Sequence, residues 1–215
     1  MAKTRHINLA QVYPFINKTT LFKVSWGMLR RKQNQKEISQ KLNSIFEYLK
    51  TYFIQTGIKG IVYYDEFTVD VADDTLHFRD QSVSWRFPRL NHRCIADSAK
   101  DSSRVALQVV SLGKAMTHLY EQYEKEDLYS MLFYVHGFSV FLTEALAEYH
   151  HNLIHAEWDS RNAKERYSFG YPLCPELSMQ KDLFALLKIK PGDEVSLTTG
   201  YMMQPEQSTS AIIFH

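Results

Sequence analysis

The sequence predicts an α+β fold: a twisted, mainly antiparallel sheet covered by long helices. Three observations point there. Residues 114–158 keep helical apolar spacing through most of their length. From Gly60 to Phe87 the chain is a series of short β-forming segments separated by turn residues. Val105 to Ser111 is a nearly unbroken apolar run, as expected of a central strand with both faces covered. Helices and strands interleave without regular βαβ spacing, which argues against a doubly wound parallel sheet.

Residues 7–17 alternate weakly, and Pro14 marks a turn or a helix start; residues 19–29 are apolar without a clear period. Residues 35–55 predict a helix, with Ile38, Leu42, Ile45, Phe46, Leu49 and Phe53 at helical spacing and Gly57 as its C-terminal stop. Gly60-Ile-Val-Tyr-Tyr64 is rich in β formers, and Phe67, Val69 and Val71 alternate with polar neighbours. Asp73-Asp74 reads as a turn and Leu76-His77-Phe78 as the return strand. Residues 82–87 form a further strand stopped by Pro88, and Cys94 to Asp97 leads into a polar loop at 98–103. In the second part of 114–158, Leu128, Leu132, Val135, Ser139, Leu142, Leu146, Tyr149 and Leu153 make one stripe. Residues 159–169 read as a polar loop, and Ser178 as the cap of a helix at 179–188. Pro191-Gly192-Asp193 is a turn, and 195–203 with 208–214 predict a hairpin joined at 204–207.

The 215 residues suffice for one large or two small domains, and 45% hydrophobic content with 23% charge is globular. A formal net charge of +1 gives no bulk field for nucleic acid or an anionic membrane. The basic cluster Arg30-Arg31-Lys32 reads as a solvated helix end or turn. Cys94 and Cys174 are far apart and outside any Cys-x-x-Cys pair, so neither a disulfide framework nor a zinc site is expected, and a cytoplasmic setting fits best. The first residues lack the apolar core of a signal peptide, and polar residues interrupt the apolar stretches short of a membrane span.

Arg166-Tyr-Ser-Phe-Gly-Tyr-Pro-Leu-Cys-Pro175 is the most constrained backbone in the chain. Pro172 and Pro175 set φ, and the residues before them are pushed to extended geometry. Gly170 permits a turn that a Cβ would obstruct. A stiff extended segment is therefore expected just past Gly170. Arg166, upstream, carries a planar fork suited to a carboxylate or a phosphate. Two readings stay open: a rigid loop with Arg166 in a structural ion pair, or an anion-binding site.

His150, His151 and His155 carry no His-Glu-x-x-His pattern and read as solvated or hydrogen-bonded surface histidines. Glu144 and Glu148 lie one turn apart, and Glu144 borders the apolar stripe, where it can face a cleft. No nucleophile elbow, phosphate-binding glycine loop or dinucleotide fingerprint is present.

Leu142-Thr-Glu-Ala-Leu-Ala-Glu-Tyr149 with His151, Arg166-x-x-x-Gly-Tyr-Pro-x-Cys-Pro175, Leu183-Phe-Ala-Leu-Leu187, and Leu197-Thr198 with Met203 and Pro205 form an ordered series. With Arg79-Asp80, Cys94 to Asp97 and the 104–113 strand upstream, the chain resembles the activation (reactivation) domain of cobalamin-dependent methionine synthase. The resemblance implies that residues 1–215 form one C-shaped α+β domain. It implies a domain that binds S-adenosylmethionine and presents it to an oxidised Co(II) cobalamin, with one electron from a flavodoxin-like donor. Methyl transfer from a sulfonium needs positioning and charge balance, with no general base.

Carried over by motif, Arg166 takes the carboxylate and Glu144 balances the ammonium or sulfonium. Backbone at 168–171, through Ser168 and Gly170, meets the adenine edge, and Tyr171 shapes the wall. Two departures stand out. Asn17, in Phe-Ile-Asn-Lys-Thr-Thr-Leu-Phe22, takes the place of a family acid, and the chain ends at His215, before a family segment bearing paired aromatics. The Asp-x-His-x-x-Gly signature of a cobalamin module is absent from these 215 residues. The expectation is a free-standing activation-domain protein that works on a separate corrinoid protein or methionine synthase fragment. A non-catalytic docking module that no longer binds the methyl donor is the second reading. An unrelated, methyltransferase-like binder of a small anion is a minor third.

Overall fold

A computed structural model describes residues 2–28, 34–100, 103–158 and 165–215. Arg30-Arg31-Lys32 and parts of the loops expected at 98–103 and 159–169 lie outside those residues. The strands are β1 Lys3–Ile7, β2 Gly60–Ala72, β3 Thr75–Phe78, β4 Ser84–Arg86, β5 Arg104–Ser111, β6 Arg166–Ser168, β7 Ser196–Leu197, β8 Met203–Gln204 and β9 Ser208–Phe214. The helices are α1 Leu9–Val12, α2 Lys18–Thr20, α3 Gln35–Gln55, α4 Ala115–Lys125, α5 Tyr129–Glu157 and α6 Met179–Leu186.

The main sheet has the order β4-β3-β2-β5-β9-β6, and β1 pairs with the first part of β2. Its pairings are antiparallel throughout. The strand predicted around Val105 is β5, at the middle of the sheet between β2 and β9. Its side chains alternate between two cores. Ala106 and Val110 join Val62, Ile213 and the buried faces of α3, α4 and α5. Val105, Leu107 and Val109 join Phe214, Trp85 and the buried face of α6. Burial on both faces is why β5 reads as a solid apolar run.

The α3 helix occupies the predicted 35–55, with Leu42, Phe46, Leu49 and Phe53 buried. The predicted helical stretch 114–158 is two helices. Asp127 takes φ +55 between them, and Leu128 bonds back to Tyr123 O. Leu128 is therefore outside the stripe and exposed, and the buried stripe begins at Val135. By length and composition α5 is apolar enough to cross a membrane, contrary to the sequence expectation. Here Val135, Phe138, Leu142, Leu146 and Ile154 of α5 are buried in the core on the sheet's helical face. About half of that apolar stretch is buried, as in a core helix with one face turned outward.

Other expectations are corrected. Residues 195–203 do not form a hairpin with 208–214. The β7 and β8 strands pair only with each other, and β9 joins the main sheet between β5 and β6. Ser178 has helical dihedrals and makes no capping bond, so α6 starts without a side-chain cap. The chain segment 7–17 resolves into α1 and a 3-10 turn at Tyr13–Phe15 that contains Pro14. The strand β1 carried no sequence signal strong enough to name. It is mostly exposed and is defined by its register against β2.

Candidate functional site

Arg166 lies on β6, where a loop was expected. Register decides its direction: Arg166 faces Ile213 of β9 and Ser168 faces Ala211. Ile213 belongs to the core on the helical face, so Arg166 and Ser168 share that side and Tyr167 takes the other. Tyr167 packs edge-on against Phe214 at 5.8 Å, consistent with this alternation. Its direction brings Arg166 to α5. Its Nη2 bonds Glu144 Oε1 and lies 3.6 Å from Glu148 Oε2. The Arg166 side chain is only 12% exposed, whereas Glu144 is 59% exposed. Among the described residues, Arg166 Nη1 is buried with no hydrogen-bond partner. A guanidinium of that burial with one nitrogen unpaired costs stability unless something completes it.

The histidine expectation is overturned. His150, His151 and His155 are buried, because this end of α5 lies under the sheet. His155 Nε2 is 2.8 Å from His151 Nε2. A tetrahedral zinc with bonds of ~2.0–2.1 Å would hold its two nitrogens about 3.3 Å apart, so this spacing is that of a hydrogen bond. His151 Nδ1 in turn lies 3.7 Å from Glu148 Oε2.

The remaining residues expected at the site are placed differently. Asn17 caps α2, its Oδ1 accepting from Thr20 N at 3.0 Å. Its segment does reach α5: Phe15 packs edge-on to Tyr149 at 5.5 Å, next in sequence to Glu148. The stiff segment after Gly170 is a β-turn and not an extended strand. Cys174 N donates to Tyr171 O at 2.7 Å with Pro172 at the second turn position, and Gly170 N donates to Cys174 O at 2.8 Å. Gly170 sits at φ +88, which only glycine adopts without strain. These bonds use Gly170 N and Tyr171 O, two of the backbone groups in the stretch expected to meet a ligand. Ser168 keeps its place on the face shared with Arg166, on a strand at the edge of the sheet. Tyr171 is 66% exposed. Cys174 is buried, which pushes its thiol up to about 12 and removes it as a nucleophile at neutral pH.

Sequence reasoning paired Glu148 with Glu144 by spacing and left it as a solvated charge; the structure places it at the guanidinium. Gln108 was missed altogether, hidden in the apolar run of β5, although it is 1% exposed and bonds His150. A cleft of about 690 Å³ opens between α4 and the β7–β8 hairpin, lined by Tyr120, Met202 and Pro205. A smaller one of about 230 Å³ lies beside Tyr167 and Arg93. Neither is lined by Arg166.

Residues 8–215 match the family described as vitamin B12 dependent methionine synthase, activation domain. The methionine synthase of Mycobacterium tuberculosis (strain ATCC 25618 / H37Rv) is 31% identical over 170 residues, covering 63% of this chain and 14% of that protein. That of Mycobacterium leprae (strain TN) is 29% identical over 170 residues, again covering 63% of this chain and 14% of the relative. The chain thus corresponds to a small part of these relatives' length. A crystal structure of the MetH reactivation domain bound to AdoHcy superposes with a TM-score of 0.83 at 18% identity, over 100% of this chain and 78% of that one. At that identity the likeness is one of fold: α+β, with a curled antiparallel sheet and helices.

Proposed function

Because the chain belongs to the family of activation domains of vitamin B12-dependent methionine synthases, we propose that it binds S-adenosylmethionine beside Arg166. Residues 1–215 act as one unit that presents the donor's methyl group to a cobalamin carried by a corrinoid-binding partner in the cytoplasm. A flavodoxin-like protein supplies the electron that readies the cobalt. The structural relative that carries AdoHcy, the demethylated product of such a donor, supports this choice of ligand.

The observation that carries the reading is the state of Arg166. Its Nη1 is buried without a partner among the described residues, and its Nη2 is held by an exposed glutamate able to swing away. A ligand carboxylate replacing Glu144 would bond both nitrogens in the fork geometry that guanidinium favours. The displaced Glu144 then stands beside the cationic end of the ligand. The chain supplies position and charge, and the transfer itself asks for no proton from it. Cobalamin, held by the partner, supplies the reduced cobalt that accepts the methyl group, and the S–CH₃ bonding pair stays on sulfur.

Calorimetric titration with S-adenosylmethionine tests this. Wild type is expected to bind and Arg166→Ala to bind at least tenfold more weakly, as loss of a charge-assisted pair of about 1.5–3 kcal/mol requires. No heat at millimolar ligand would remove the reading.

A second reading, a docking module without ligand, is favoured by Asn17. Its side-chain oxygen is committed to Thr20, and it brings no charge to a cationic donor. Equal capture of a corrinoid partner by wild type and Arg166→Ala, with ligand bound by neither, is the result that would select it.

A further inference from the structure

Two carboxylates flank the Arg166 guanidinium, and they flank it differently. Both come from α5, one turn apart, and Arg166 reaches them from β6. Glu144 Oε1 accepts a hydrogen bond from Nη2, and the Glu144 side chain is 59% exposed. Glu148 Oε2 lies 3.6 Å from the same Nη2, longer than a hydrogen bond, with its side chain 46% exposed. Glu148 therefore stands close enough to feel the charge of the guanidinium, yet it is not bonded to it. Its oxygens keep lone pairs that Arg166 does not use.

Charge decides what can enter. Arg166 with Glu144 and Glu148 carries a single negative charge in excess. A plain carboxylate seated on the fork would bring a third anion to one guanidinium, and like charges that close oppose binding. With Glu144 swung outward, Glu148 would still face the new carboxylate beside Nη2. An α-amino acid behaves differently, because its ammonium sits on the carbon next to its carboxylate. A cation then arrives beside the guanidinium, where Glu148 stands. Asn17, in the segment that reaches α5 through Phe15, brings no such charge, and its Oδ1 already accepts from Thr20 N at 3.0 Å.

We propose that Glu148 receives the α-ammonium of the ligand and makes the Arg166 site selective for amino-acid carboxylates over simple carboxylates and other small anions. Arg166 holds the carboxylate, Glu148 holds the ammonium one carbon away, and Glu144 moves outward. In S-adenosylmethionine the sulfonium is the remaining positive charge, and Glu144 is the remaining acid. The single positive charge of the whole ligand then matches the single negative charge of the site. This rests on the reading of Arg166 as the carboxylate site, and it opposes the reading of the chain as a binder of a simple anion.

Calorimetric titration with two probes tests this. One is S-adenosylhomocysteine, whose sulfur is uncharged. The other is its desamino analogue, which keeps the carboxylate and has hydrogen in place of the ammonium. Wild type should prefer S-adenosylhomocysteine about tenfold or more, equivalent to ~1.4 kcal/mol. Glu148→Gln keeps the shape and removes the charge. It should bind S-adenosylhomocysteine about tenfold more weakly and reduce the preference to about twofold or less. Glu144→Gln should shift both probes by the same factor and leave the preference in place. Arg166→Ala should lose both. Glu148 is half-exposed, so glutamine is structurally tolerated there, and a melting curve checks it. A preference unchanged in Glu148→Gln, or abolished in Glu144→Gln instead, would overturn the inference while the loss in Arg166→Ala still upholds the carboxylate reading. If wild type binds neither probe, or Arg166→Ala binds both as wild type does, the carboxylate reading fails and this inference with it.

Discussion

His150 and Gln108 meet in the middle of the protein, Nδ1 to Oε1 at 2.7 Å, with both side chains essentially sealed from solvent. The Gln108 amide also donates to Ala147 O at 3.3 Å, which fixes its orientation and makes His150 the donor. Burial first, then Arg5 and His151, push His150 down to about 3. An unfolded histidine titrates near ~6.5. The unfolded chain therefore takes up the proton first on acidification. Stability present above about pH 6.5 is lost progressively as pH falls toward 3. The full loss is of order several kcal/mol. Chemical denaturation at pH 7 and pH 5 should show it, with a smaller difference in His150→Leu.

Arg166→Lys keeps the charge and loses the fork. One ammonium cannot bond both oxygens of a carboxylate in parallel, so affinity for S-adenosylmethionine should fall about tenfold or more. Thermal stability should change little, and a competition binding assay beside a melting curve separates the two.

Phe138 is fully buried where three rings converge: Phe53 at 5.1 Å, Phe46 at 5.5 Å and Tyr13 at 6.1 Å. It ties α5 to α3 and to the N-terminal turn. Phe138→Ala should cost about 3–5 kcal/mol through lost burial and the cavity left behind. Urea unfolding measures this, and a loss below about 1 kcal/mol would mean that this junction is loosely packed.

Gly137 lets α5 approach the turn that carries Ser25 and Trp26. A Cβ there would sit 2.4 Å from Ser25 Oγ and 2.7 Å from Trp26 Nε1. Trp26 Nε1 is also bonded to Tyr134 O at 3.2 Å, so the ring has little freedom to move aside. Gly137→Ala should therefore destabilise by about 1–3 kcal/mol despite the better helix propensity of alanine. The melting temperature would be expected to drop by several degrees.

Much of this was legible in the residues. Helix α3 followed from apolar spacing ended by Gly57, which takes φ +72. The β2–β3 turn followed from Asp73-Asp74, and Asp73 takes φ +51. The 195–214 region was misread because β7, β8 and β9 are all β-like, and only pairing distinguishes a small separate hairpin from a strand of the main sheet. The break between α4 and α5 was missed because one left-handed residue, Asp127, interrupts a pattern that is apolar on both sides. Among the site residues, Arg166 and Glu144 were found from motif and do meet, while Asn17 caps α2 and the Tyr171 backbone oxygen closes a turn.

By itself the sequence determined the α+β class, the long apolar helix and the family, because periodicity, turn chemistry and ordered motifs are properties of neighbouring residues. Tertiary structure decided where the charges act. The register of β6 against β9 turns Arg166 toward α5, and the sheet laid over the end of α5 buries His150, His151 and His155. Side-chain direction and burial depend on which distant segment lies opposite, and no local pattern carries that information.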